Sequence, residues 1–279
     1  MSHEVIGEIG VKYGRGGGRP LHLDILRPAE PSRSLRPAVI YVHGGGWLGG
    51  ERTSTPNQIL AEAGFVTVSI SYRFSSEAIF PAQIHDVKAS IRWLRANAGR
   101  YGVDPERIGI WGHSAGGHLA ALAAVTGNNP DFEGEGGNPD QDSSVQAAVP
   151  ISAPLEFLID WYAVAQMPVH PEAWDCISGL MGGLPHTVPE MARLSSPYWH
   201  VHATAAPQLV IHGEMDDLVP IGQARAYVAS LRRYAGIDAS LIALEGVGHE
   251  AHSSLFPNQP DPSGLQARVT ELFRDHLGQ

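Results

Sequence analysis

The chain has one cysteine, Cys176, in 279 residues. That excludes an intramolecular disulfide and fits a reducing compartment. No uninterrupted apolar stretch approaches the roughly 18–20 residues of a membrane span, so no membrane partner is expected. Residues 1–7 lack a basic segment followed by an apolar one. No signal peptide is therefore read there, and a cytoplasmic location is expected. Basic residues are the minority, 19 Lys and Arg against 29 Asp and Glu, with no cationic cluster. Nucleic acid is therefore not an expected partner. Histidine is plentiful, at 14 residues, yet no His-Glu-x-x-His and no Cys/His zinc spacing occurs. No metal and no cofactor are expected. Internal repeats and low-complexity linkers are also missing, so residues 1–279 read as a single domain. Nothing in the composition sets an oligomeric state.

Glycine is abundant and concentrated where it matters. Residues 112–117 read Gly-His-Ser-Ala-Gly-Gly, directly after the strand-like run 107–111. A Gly-x-Ser-x-Gly turn between strand and helix holds its serine in a strained, exposed position. Side chains at Gly112 and Gly116 would collide as the backbone folds back. A small-residue helix follows from Ala115, and Ser114 is the candidate nucleophile.

The order of elements is two early strands, 5–11 and 21–27, around a 14–18 turn, then alternating strand and helix. Residues 38–42 and 65–70 are continuous apolar runs, as strands buried on both faces require. Ile84, Val87, Ile91, Leu94 and Ala98 recur at helical spacing behind Pro81. Lys88, Arg92 and Arg95 lie off that stripe and read as a solvated face. Further strands are expected at 145–151, 208–212 and 239–244, with helices at 224–234 and 265–276. This pattern implies an α/β fold with a mainly parallel sheet flanked by helices. Residues 127–144 read as a long loop. Residues 155–200 hold short helical fragments, many prolines and the aromatics Trp161, Tyr162, Trp174, Tyr198 and Trp199. A small cap-like insertion is expected over about 127–205.

A serine hydroxyl needs a neighbouring base, and that base needs a carboxylate to orient it. In an open parallel sheet such groups collect after the carboxyl ends of strands. The segment after strand 208–212 offers three acids, Glu214, Asp216 and Asp217. After strand 239–244 comes Glu245-Gly246-Val247-Gly248-His249, a histidine in a glycine-lined loop, and His249 is the candidate base. His113 and His118 flank the nucleophile and are read as packing or hydrogen-bonding groups, with His113 also a candidate substrate contact. His200 and His202 read as surface residues. After strand 38–42, residues 43–47 read His-Gly-Gly-Gly-Trp. Bare backbone amides there can hold a developing oxyanion. The expected donors are Gly44, Gly45 and Ala115, with Trp47 bordering the pocket.

With these residues in place, the chain resembles the α/β-hydrolase superfamily. More narrowly it is similar to HGGG-bearing esterases of the hormone-sensitive-lipase-like type, and within them to the bacterial acetylxylan/feruloyl esterase-like group. The resemblance runs over roughly 37–250 and includes Ser71-Tyr72-Arg73, residues 80–87 and residues 104–117. The chain order Ser, Asp, His matches that superfamily. The family pattern His-Gly-x-x-Asp-x-x-Val-Pro aligns its catalytic acid with Asp216, and Gly-x-Gly-His carries the base to His249. One stretch departs from the pattern: residues 150–154 read Pro-Ile-Ser-Ala-Pro, where relatives often have an acidic, aromatic segment with Gly-Pro. The resemblance implies a serine carboxylesterase acting on small esters with short acyl chains, such as acetyl or feruloyl esters of plant polysaccharide. An amide hydrolase would share the same motifs, and so would a non-catalytic small-ligand binding protein.

Overall fold

The computed structural model describes residues 3–52, 57–168, 170–234, 237–256 and 259–278. In chain order the strands are β1 (Val5–Gly16), β2 (Arg19–Pro28), β3 (Arg36–Val42), β4 (Val66–Ile70), β5 (Val103–His113), β6 (Ala147–Ile151), β7 (Gln208–Gly213) and β8 (Ala239–Leu244). The helices are α1 (Gln58–Glu62), α2 (Ala82–Ala96), α3 (Ala98–Tyr101), α4 (Ala115–Val125), α5 (Trp161–Ala165), α6 (Pro171–Met181), α7 (Pro189–Ser195), α8 (Gly222–Leu231) and α9 (Leu265–Leu277). One sheet takes the order β1-β2-β4-β3-β5-β6-β7-β8. β1 and β2 are antiparallel, β2 meets β4 antiparallel, and the remaining pairs are parallel.

The central strands carry no alternation because helices cover both faces. Leu60 of α1 and Leu265, Val269, Phe273 and Leu277 of α9 pack on Val39, Tyr41, Trp111 and Val149. The other face packs α2, α4 and α8 on Ile40, Val68, Ile110 and Val210. β4 and β5 lie on opposite sides of β3. Successive connections therefore diverge there and leave a crevice beyond the carboxyl ends of β3 and β5. Both glycine motifs sit at those two ends. Among the described residues, no helix is long and apolar enough to cross a membrane.

Several boundaries shift from the sequence reading, each for a local reason. The first hairpin is longer than 5–11 and 21–27, since β1 and β2 continue to Gly16 and Arg19 and turn through Gly17 and Gly18 alone. The Asp104-Pro105-Glu106 turn lies inside β5 as a register jump, between the pairs Arg36–Val103 and Ala38–Ile108. α8 ends at Leu231, short of the expected 234.

The larger correction concerns α2. Lys88, Arg92 and Arg95 are not solvated: they are 0%, 2% and 7% exposed. The loop of residues 127–144 lies over them. It has almost no secondary structure, so its carbonyls need donors from elsewhere. Lys88 Nζ donates to Thr126 O, to Ser143 Oγ at 3.1 Å and to Glu133 Oε1 at 3.0 Å. Arg92 pairs with the other Glu133 oxygen and donates to Gly137 O at 3.1 Å. Arg95 donates to Asp142 O at 2.6 Å and Ser144 O at 2.8 Å. The expected cap over 127–205 is accordingly shorter. Its first part is fastened to α2, β6 is an inner strand of the sheet, and of these residues only Pro154 and later ones line the crevice.

Burial draws the Lys88 ammonium below its ordinary value, and Glu133 opposes that. Glu133→Gln leaves two buried cations without their carboxylate. We expect a loss of about 3 kcal/mol in stability, read from urea unfolding midpoints, whereas a loss under about 0.5 kcal/mol would contradict this account of the loop.

Candidate active site

Ser114 is a single residue between the end of β5 and the start of α4. Its backbone sits at φ 54 and ψ −121. A non-glycine residue held in such a region costs about 1–3 kcal/mol, so its surroundings must impose it. Ser114 N donates to Ile151 O at 2.8 Å, and Ser114 O accepts from His118 N at 2.9 Å. α4 then departs directly against the end of β3. A Cβ on Gly116 would overlap the Val42 carbonyl, and one on Gly112 would lie 2.5 Å from Val42 O. Both glycines are therefore needed for close approach rather than for flexibility.

The three acids after β7 separate by burial. Asp216 is 2% exposed, whereas Glu214 and Asp217 face solvent. Asp216 Oδ1 accepts the amides of Leu218 at 3.1 Å and Val219 at 2.8 Å. Its Oδ2 lies 2.9 Å from His249 Nδ1, and His249 Nε2 lies 3.0 Å from Ser114 Oγ. An ionised carboxylate only accepts, so Nδ1 carries the proton and the Nε2 lone pair faces the serine. Burial pushes the Asp216 carboxyl up, but the hydrogen bonds from His212 and His249 outweigh it and hold it below the usual range. His212 was not singled out from sequence. It is fully buried at the end of β7, with Nε2 2.8 Å from Val219 O and 3.2 Å from Asp216 Oδ2. The His-Gly-x-x-Asp spacing was its only signal.

The loop 43–47 curls over the crevice. Gly45 takes φ 109, and its carbonyl accepts Leu48 N at 3.0 Å and Gly49 N at 3.1 Å. Among the described residues the amides of Gly44 and Gly45 reach no acceptor. Ala115 opens α4, so its N–H belongs to the unpaired first turn. All three expected donors are therefore free, and the positive end of α4 reinforces them. His43 holds the loop from beneath. Its ring stacks on Tyr72, with centroids 4.5 Å apart, and Tyr72 Oη donates to His43 O at 3.0 Å.

Trp47 lines the cavity yet is only 2% exposed, so it serves both wall and core. Its Nε1 donates to His118 Nδ1 at 3.2 Å, and His118 Nε2 donates to Ser195 O at 2.7 Å. The oxyanion loop, the nucleophile helix and the end of α7 are thus tied by one neutral imidazole. Burial takes His118 down to about 4. His113 also lines the cavity, and its Nε2 donates to His249 O at 2.8 Å. Burial first, then His252 and His249, hold His113 well below its ordinary value. It therefore positions the base loop as a neutral donor. The cavity measures about 480 Å³.

His113, Glu250 and His252 each bring one ligand atom within 4.8 Å of the others. The two rings, however, stack at 3.6 Å with planes 16° apart. Their lone pairs run side by side instead of converging tetrahedrally on an ion. Of the aromatics expected over the crevice, Tyr162 lines it. Trp161 and Trp199 instead donate to the buried Glu156 carboxylate, both at 3.0 Å.

Comparison with known proteins identifies the family. The BD-FAE family matches residues 23–231, about three quarters of the chain. A probable carboxylic ester hydrolase, LipM, of Mycobacterium tuberculosis is 37% identical over 228 residues, covering 80% of this chain and 51% of LipM. The chain thus spans about half the length of the curated relatives it matches. A truncated carbohydrate esterase from gut microbiota superposes with TM-score 0.84 at 29% identity, covering 98% of this chain and 97% of that one. A propionate-bound thermophilic esterase, Est2 of Thermogutta terrifontis, gives TM-score 0.77 at 26% identity, covering 98% and 94%. The chain belongs to the BD-FAE family and has the α/β-hydrolase fold.

The neutral His118 has a consequence for stability. Unfolded, it titrates near 6.5; folded, near 4. Between those values the unfolded chain binds the extra proton, so stability rises with pH across that window and falls as pH drops through it. His118→Gln should lessen the slope there by up to about 1.4 kcal/mol per pH unit in urea unfolding. An unchanged slope would contradict the burial of a neutral ring.

Proposed function

We propose that this member of the BD-FAE family is a serine carboxylesterase that cleaves small carboxylic esters through an acyl-enzyme. The observation that carries the reading is the continuous relay from Asp216 through His249 to Ser114, beside three unpaired amides. His249 Nε2 takes the Ser114 proton as Oγ attacks the ester carbonyl. The carbonyl oxygen becomes an oxyanion within reach of the Gly44, Gly45 and Ala115 amides. Each such donor is worth about 3–4 kcal/mol of barrier in comparable sites. Asp216 keeps the tautomer and stabilises the imidazolium. His249 then passes its proton to the departing alkoxide oxygen. Water enters, loses a proton to the same nitrogen and releases the acid.

Short acyl groups suit a cavity of about 480 Å³ closed on one side by α5 and α6. The ester hydrolase name of LipM and the propionate bound to Est2 support that class. The carbohydrate esterase neighbour supports sugar esters as the physiological class, including acetyl or feruloyl esters of plant polysaccharide. An amide would use the same groups with a poorer leaving atom, so matched esters and anilides rank the two.

Ser114→Ala should lower hydrolysis of 4-nitrophenyl acetate by about 10⁴-fold or more, with the melting temperature kept near that of the wild type. Retained turnover would remove Ser114 from its role. In a 4-nitrophenyl ester series, kcat/KM should peak between acetyl and butyryl. A maximum at long chains would contradict the compact pocket, and faster cleavage of the matched anilide would replace the ester reading.

A further inference from the structure

Gln223, the second residue of α8, lines the cavity that holds Ser114 and is 7% exposed. Its Oε1 accepts two backbone amides, Leu155 N at 2.8 Å and Glu156 N at 3.1 Å. Both partners are donors. The oxygen must face them, and the orientation of the carboxamide is settled by chemistry. The –NH2 group therefore points away from residues 155 and 156. Among the described residues it has no acceptor, and it is not sealed off from the cavity.

The anchor that holds this amide is itself rigid. The Glu156 carboxylate accepts Leu158 N at 2.9 Å and Ile159 N at 2.8 Å, besides the two indole N–H groups. Phe157 N donates to Ser196 Oγ at 3.0 Å. The –NH2 cannot swing toward a partner without breaking the bonds to Oε1. The same cavity is lined by Pro154, Ala173, Ile177 and Val219, none of which offers a side-chain acceptor. The Tyr162 hydroxyl in the same wall is already committed to Leu218 O at 2.5 Å. The pinned donor is held open to the cavity, where water or a ligand oxygen can accept from it. Because its direction is fixed, a ligand lacking an oxygen there displaces that water without replacing its hydrogen bond.

We propose that Gln223 determines specificity: its –NH2 donates to a second oxygen of the substrate, a hydroxyl, ether or further ester oxygen beside the scissile group. The proposal rests on the esterase reading and narrows its substrates. Esters of polyols and sugars, or esters with oxygenated acyl groups, are then favoured over hydrocarbon esters of the same shape. A site built around such a donor discriminates against an analogue lacking the acceptor.

The test uses isosteric pairs on the intact chain. On the acyl side, 4-nitrophenyl methoxyacetate is compared with 4-nitrophenyl butyrate. On the alcohol side, 2-methoxyethyl acetate is compared with butyl acetate. The quantity read is the ratio of kcat/KM within each pair, wild type over variant, which cancels intrinsic reactivity. Gln223→Glu keeps an oxygen for the two amides and removes the donor, whereas Gln223→Met removes both. In each variant the oxygen-bearing member of one pair should lose at least about fivefold relative to its hydrocarbon partner. The pair that responds identifies which side of the ester meets Gln223. Unchanged ratios in both pairs would reduce Gln223 to a structural anchor and overturn the proposal. Wild-type turnover of 4-nitrophenyl acetate is the separate control. Its absence would sink the esterase reading, and this inference with it, whereas turnover with unchanged ratios sinks only the inference.

Discussion

The site depends on one backbone constraint: a serine forced into a positive-φ turn between an inner strand and a helix. At φ 54 and ψ −121, Ser114 is strained, and nothing in its own side chain relieves this. The strain is imposed by α4 lying against the end of β3, which only glycine at 112 and 116 permits. The same approach brings the start of α4 beside the loop 43–47. Nucleophile and oxyanion donors are therefore positioned by a single packing event. Relaxing the turn would return Ser114 to an ordinary helix N-terminus and separate it from both the amides and His249.

Buried histidines carry much of the surrounding order. His43 supports the oxyanion loop, His113 holds the His249 carbonyl, His118 joins Trp47 to Ser195, and His212 lies against Asp216. An imidazole suits this work because one ring both donates and accepts, and so can link two elements at once. His249 differs in its surroundings: among the described residues it alone has a carboxylate on one nitrogen and a serine hydroxyl on the other. That asymmetry, not the presence of histidine, separates the base from its neighbours.

The parts of the site governed by local backbone demands were legible in the sequence. Gly112, Gly116 and the glycine run 44–46 mark positions where a side chain cannot fit, and such marks survive without knowledge of the fold. The order of strands and helices was legible because both-face burial leaves continuous apolar runs. Choosing Asp216 over Glu214 and Asp217 rested on a family pattern, since three neighbouring acids differ only in burial. Lys88, Arg92 and Arg95 were misread because helical periodicity defines a face without saying what covers it. Their cover, residues 127–144, has no periodicity and pairs through main-chain carbonyls, which are the same for any sequence. The roles of His118, His212 and Gln223 depend on partners about 80, 4 and 70 residues away, and only for His212 did spacing leave a trace.

The central claim is that His249 activates Ser114, and no other serine, beside amides waiting for an oxyanion. Fluorophosphonate labelling of the intact chain, with the adduct located by peptide mass spectrometry, addresses it directly. The account predicts one adduct, on Ser114, formed far more slowly in His249→Ala. An adduct on a different serine, or equal labelling without the imidazole, would contradict it.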